Sequence, residues 1–199
     1  MTNHLTSELI CTRLSHDIIG NIGAVANAVE LLEEGDMDFL DDIKSILKNS
    51  SRTLAARLKF FRMAFGLNNT NLEDAALVKQ TAQEYLFTLG NKDYPIRLAF
   101  NVAATEKRKP ALLMLMVMAD LLIRGGDITI QEENGKLSAD IPTTAKISSD
   151  KLDKIEAAIY TRQPVADAGL APLFALFEQQ NEHKISLVNN EVFIRLVME

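Results

Sequence analysis

Cysteine occurs once in this chain of 199 residues, as Cys11. A single thiol closes no internal disulfide, which excludes the cross-linked scaffolds of oxidising compartments. Cys11 has no cluster of basic neighbours and reads as inert. Proline is scarce at five residues, and none lies between Leu5 and Phe65. Long apolar runs are missing too. The longest, Ala111 to Ala119, is far short of the roughly 20 residues that cross a bilayer. The first residues, Met1-Thr2-Asn3-His4-Leu5-Thr6-Ser7-Glu8, have no basic segment leading into an apolar block, so no signal peptide is expected. Positive charge is short as well: 21 Lys and Arg against 27 Asp and Glu leave a net charge of −6. That balance argues against nucleic acid as a partner. The expectation is a cytoplasmic protein with neither a membrane nor a nucleic acid as its partner.

What is there suits a folded core: 47% hydrophobic and 24% charged residues. From Leu5 to Phe65 apolar residues recur at helical spacing. Leu14, Ile18, Ile22, Val25, Val29 and Leu32 form one stripe. Phe39, Ile43, Leu47, Leu54, Phe61 and Phe65 form another. Between them lies Glu34-Gly35-Asp36-Met37. Gly35 can end a helix in the left-handed conformation, and Asp36 or Asp38 can cap the next. Two helices of about 28 residues, roughly 40 Å each, then form an antiparallel hairpin. Two helices cannot cover both stripes. Pairing with a second copy gives a four-helix bundle across a two-fold axis. The alternative is a hairpin folded back onto the rest of its own chain.

The second region starts at the polar run Asn68-Asn69-Thr70-Asn71, so the expected division is 1–67 and 68–199. Its pattern predicts helix 72–89, strand 96–102, helix 110–124, strand 128–132 and strand 136–141, with Asn134-Gly135 as a hairpin turn. Helices 149–160 and 170–180 follow. A last hairpin, 184–188 and 192–197, turns at Asn189-Asn190. Pro110 is read as a first-turn proline. The class is α+β, with one mixed sheet covered by helices on one face.

The chemistry-bearing stretch is Leu14-Ser15-His16-Asp17-Ile18-Ile19-Gly20-Asn21-Ile22-Gly23-Ala24-Val25-Ala26-Asn27. At about 100° per residue, His16 lies about 160° from Leu14 and points away from the core stripe. Thr12, Gly20, Gly23 and Asn27 fall within about 40° of His16, and Arg13 lies about 60° away. This is an imidazole on a face of small side chains. Each helical glycine costs about 1 kcal/mol relative to alanine, so a close approach by another surface is one reading. A surface histidine among tolerated glycines is the other. A neutral imidazole is a good nucleophile toward phosphorus. Asp17 could accept a hydrogen bond from the second ring nitrogen, and Arg13 could neutralise phosphoryl oxygens. Lys59 or Arg57 on the second helix would stand near the level of His16 and could meet an acidic partner.

The run Leu14-Ser15-His16-Asp17-Ile18, then Gly23-Ala24-Val25 and Asn27-Ala28-Val29-Glu30-Leu31-Leu32, resembles the ChpT-type histidine phosphotransferases of alphaproteobacteria. Ala119-Asp120-Leu121-Leu122-Ile123-Arg124-Gly125-Gly126 is similar to that family's helix-to-strand segment. The likeness covers essentially the whole chain. One departure is Gly20-Asn21, where the family commonly has Ser-Pro, and it leaves this helix unkinked. The resemblance implies a homodimeric hairpin carrying the phosphoacceptor His16, followed by a degenerate, kinase-like ATPase fold. It implies partners that are receiver domains, of a hybrid histidine kinase and of response regulators.

A working kinase of this class needs an asparagine on a helix to hold magnesium, and glycine-rich loops for the nucleotide. Helix Ala111–Asp120 has no asparagine, although Asp120 could hold a metal in principle. The only Asp-x-Gly is Asp167-Ala168-Gly169, with no second glycine, and no P-loop or dinucleotide fingerprint is present. His4 and His183 lack metal-ligand spacing. The expectation is no cofactor and no metal. Two other classes remain beside a phosphoryl carrier: a non-enzymatic dimeric scaffold, and an ATP-dependent histidine kinase.

Overall fold

The computed structural model describes residues 2–35, 39–67, 70–163, 165–179 and 184–199. Helix α1 (Thr2–Glu33) and helix α2 (Leu40–Phe65) form the hairpin. Helix α3 (Ala75–Phe87), strand β1 (Ile96–Asn101), helix α4 (Thr105–Leu121), strand β2 (Gly126–Glu133) and strand β3 (Lys136–Pro142) follow. Helix α5 (Ser149–Thr161), helix α6 (Ala171–Gln179) and strands β4 (Ile185–Asn189) and β5 (Phe193–Met198) complete the chain. Among the described residues no helix is long and apolar enough to cross a membrane. The possible caps Asp36 and Asp38, the boundary at residues 67 and 68, and His183 fall on or beside positions outside the described residues.

Gly35 has φ +76° and closes α1, with its N–H donating to Leu32 O at 3.2 Å. The five strands form one sheet in the order β1-β2-β3-β5-β4. Only β1 and β2 run parallel, so α4 is their crossover, and the other pairs are antiparallel. Strand β1 alternates between an inward side (Ile96, Leu98, Phe100) and exposed Arg97, Ala99 and Asn101. That alternation marks a sheet packed on one face only. Helix α4 lies on the packed face against β2, β3 and α6, with nearly every residue from Arg108 to Leu121 buried. Met114, Met116 and Met118 are core residues there. Turn Asn134-Gly135 joins β2 to β3 with both residues at positive φ. A side chain at Gly125, φ +50°, would meet Pro95 O at 2.6 Å, so only glycine fits the entry to β2.

Two expectations are corrected. Pro110 is not in the first turn of its helix but five residues past the start at Thr105. The extra turn is held by Glu132 on β2, whose Oε2 accepts from the backbone N–H groups of Ala103 and Ala104 at 3.1 and 3.0 Å. A carboxylate distant in sequence thus caps a helix that has no side-chain cap of its own. The same helix stops at Leu121, short of residue 124, where Leu122 leaves helical geometry to bridge with Ile147.

Helix α1 has two different surroundings along its length. Its first half packs on α6 and the short 3-10 turn Ala168–Leu170, with Leu9 buried and Leu5, Ile10, Leu14 and Ile18 against the main core. Its second half carries exposed apolar residues. Ile22 is 52% exposed there, and Val29 and Leu32 about 40%. The fold-back alternative therefore holds for the lower half of the stripe. The upper half stays uncovered within one chain.

Candidate functional site

His16 lies near the middle of α1. Its side chain is 85% exposed. Thr12, Gly20, Gly23 and Asn27 are exposed on the same helix. A Cβ built on Gly20 or Gly23 meets nothing within 4 Å. The face is open and flat, as the helical wheel predicts.

Beneath it the polar groups are tightly held. Asp17 presents Oδ1 at 3.6 Å from His16 Nδ1. This is beyond a hydrogen bond, and the two groups are close neighbours. Asp17 Oδ2 accepts from Arg13 Nε at 2.8 Å, one helical turn away. The rest of the Arg13 guanidinium is taken by Asp120 in the last turn of α4: Nη1 donates to Oδ2 at 2.7 Å and Nη2 to Oδ1 at 2.9 Å. Arg13, Asp17 and Asp120 are all largely covered, with side chains 13%, 14% and 16% exposed. Burial alone would pull the Arg13 pKa down. The hydrogen bonds and charge of Asp120, with help from Asp17, outweigh it and hold the pKa above the ordinary arginine value.

This corrects one expected role. Arg13 is not a free cation beside the histidine; it is an anchored bridge between α1 and α4. The Arg13–Asp17 pair is an ordinary i,i+4 contact on one helix face. Sequence patterning gave no hint of Asp120, which is 107 residues away. Asp120 spends both oxygens on Arg13, and its carbonyl accepts from Lys151 Nζ at 2.8 Å.

Arg57 on α2 extends the network. Its Nη1 donates to the backbone carbonyl of Asp17, and its Nε to Thr88 Oγ1 at 3.2 Å. Lys59 reaches α3 instead, with Nζ 3.4 Å from a Glu84 carboxylate oxygen. It lines a surface cavity of about 640 Å³ between α2 and α3. Tyr85 lies under the network, fully buried and stacked on Phe60 at 4.0 Å. Burial, and then the charge of Asp120, push its phenol pKa above the ordinary range. Its hydroxyl has no hydrogen-bond partner among the described residues.

The expected degenerate nucleotide site can be tested on the same residues. Asp120, the one carboxylate of α4 suited to a metal, is neutralised by Arg13. Asp167 Oδ1 accepts from Gly169 N at 2.8 Å, and its other oxygen lies 3.3 Å from Lys154 Nζ. Both carboxylates are thus engaged with protein cations or a turn.

An α-helical hairpin followed by a mixed five-stranded sheet with helices is an α+β architecture. A solved structure described as a bacterial phosphotransferase matches with a TM-score of 0.73 at 26% identity, over 98% of this chain and 95% of that one. The protein phosphotransferase ChpT of Brucella abortus (strain 2308) is 33% identical over 140 residues, which are 69% of this chain. The matched segment spans 66% of that relative's length. No protein-family model matches the chain. The chain belongs to the ChpT-type phosphotransferases.

Proposed function

We propose that this protein is a homodimeric histidine phosphotransferase of a multi-step phosphorelay. His16 takes a phosphoryl group from the aspartate of one receiver domain and passes it to the aspartate of another. One observation carries the reading: an 85% exposed imidazole on an unobstructed helix face, backed by an immobilised carboxylate. With the ring proton on Nδ1, the Nε2 lone pair attacks phosphorus. The bond from phosphorus to the donor's aspartyl oxygen breaks, and its electron pair returns to that carboxylate. The ring gains positive charge as the N–P bond forms, and Asp17 stands beside the Nδ1–H to balance it. Transfer to the second receiver reverses these changes. Asp17 is thus the orienting group, and Thr12, Gly20, Gly23 and Asn27 form the docking face. Arg13 serves it indirectly by holding Asp17, and Lys59, turned to Glu84 on α3, has no part in this face.

The uncovered upper stripe, Ile22, Val29 and Leu32 with Ile46 on α2, supports pairing with a second copy as a four-helix bundle. The carrier works in the cytoplasm and binds no nucleotide of its own. The test is incubation with a receiver carrying labelled aspartyl phosphate. Acid-labile label should appear on the wild-type chain and not on His16→Ala. Label that persists in His16→Ala refutes the assignment.

A further inference from the structure

We infer that Asp120 is a positioning residue for His16: from the α/β layer, through Arg13, it fixes the carboxylate of Asp17 and with it the proton on the ring. The inference rests on the reading of His16 as the phosphoacceptor. No residue of the α/β layer has a part in the chemistry as set out so far, so this gives that layer one.

The geometry forms a directed chain. Arg13 has three donor groups facing two carboxylates. Asp120 engages both terminal nitrogens side by side, the most constrained arrangement an arginine and a carboxylate adopt. Arg13 meets Asp17 through Nε, and among the described residues Oδ2 is the Asp17 oxygen that it engages. The other oxygen, Oδ1, is the atom 3.6 Å from His16 Nδ1. If Asp120 did not claim the terminal nitrogens, Arg13 could turn its fork onto Asp17 and occupy both oxygens. The histidine would then lose its acceptor. The anchor itself is firm. Asp120 follows a run of buried residues on α4, and Lys151 holds its carbonyl. From the other side Arg57 ties the Asp17 carbonyl to the end of α3. The stacked rings of Tyr85 and Phe60 fill the space below. An acceptor on Nδ1 favours the tautomer with its proton there, and so frees Nε2 for attack.

A purely structural ion pair would affect stability and leave the ring unaffected. The test therefore reads the ring directly. Protein labelled with ¹⁵N in histidine reports by NMR which ring nitrogen of His16 bears the proton, with His16→Ala assigning the signal. The same samples give kcat and KM for phosphoryl uptake from a phosphorylated receiver. Asp120→Asn is expected to move the proton population toward Nε2. It should lower kcat about a hundredfold, the lower end of what a correctly oriented proton acceptor supplies, with KM unchanged. Asp120→Glu keeps the charge and should recover most of the rate. A second variant, Arg13→Met with Asp120→Leu, removes the whole linkage to Asp17 and should show the same loss of kcat. A wild-type tautomer and wild-type kcat in either Asp120→Asn or the double variant overturns the inference. If His16→Ala still accepts label, the phosphoacceptor reading has failed instead, so the two failures are distinguishable.

Discussion

Replacing both glycines of the histidine face with alanine sets stability against function in one experiment. Gly20 and Gly23 are in the interior of α1, where glycine costs about 1 kcal/mol relative to alanine through backbone entropy. The structure offers nothing to offset that cost, because an added Cβ at either position meets no atom within 4 Å. Gly20→Ala with Gly23→Ala should therefore stabilise each protomer by about 2 kcal/mol. For a chain of this size that is about 4 to 8 °C in Tm. Calorimetric melts should compare wild type and variant at one protomer concentration, since dimerisation makes Tm concentration-dependent. The same two methyl groups stand where a receiver must settle, so kcat/KM for phosphoryl uptake should fall. Gly23→Leu should lower it by at least about tenfold, the cost of about 1.4 kcal/mol of lost fit. A lower Tm in the alanine variant would refute the reasoning, because it would mean that the face is already covered. A higher Tm with full transfer activity in Gly23→Leu would show that receivers do not dock there.

Ile22→Asp places a charge on the uncovered upper stripe. Light scattering should show the mass fall from twice 22.1 kDa to 22.1 kDa, and a wild type that is monomeric throughout would refute the bundle. Glu132→Gln weakens the cap on α4 and the contact with Lys107 at 3.0 Å, at a cost of about 1–2 kcal/mol near neutral pH. The backbone N–H of Ala104, then Lys107, hold the Glu132 pKa below its ordinary value. Its contribution is therefore full above about pH 4.3, the unfolded value, and is lost as pH falls through the lower folded one. Urea titrations should show wild type and variant converging in acid, and an unchanged gap there would disprove the electrostatic cap.

The hairpin and the alternation of helices and strands were legible because both depend on local periodicity. So was the direction of His16, since the face of a helical residue follows from counting. Long-range facts were not legible. The parallel pairing of β1 with β2, which makes α4 a crossover, leaves no mark in either strand's own pattern. The place of Pro110 depends on a carboxylate 22 positions later that caps the preceding turn. Arg13 was read only as a cation near His16 that could neutralise phosphoryl oxygens. That its main partner stands on α4 is a product of how α1 lies on the sandwich, which no spacing rule encodes. The two fates of the α1 stripe were hidden likewise, because its apolar residues look alike above and below His16.

Pinning α1 to the α/β layer has a consequence for traffic. With both termini of the Arg13 fork fastened, this stretch of α1 is held in place, so under the proposed relay a donor and a recipient must take turns at each His16. Under the proposed relay, long residence by either client would stall the line. Brief, readily broken visits would therefore serve it better than tight ones.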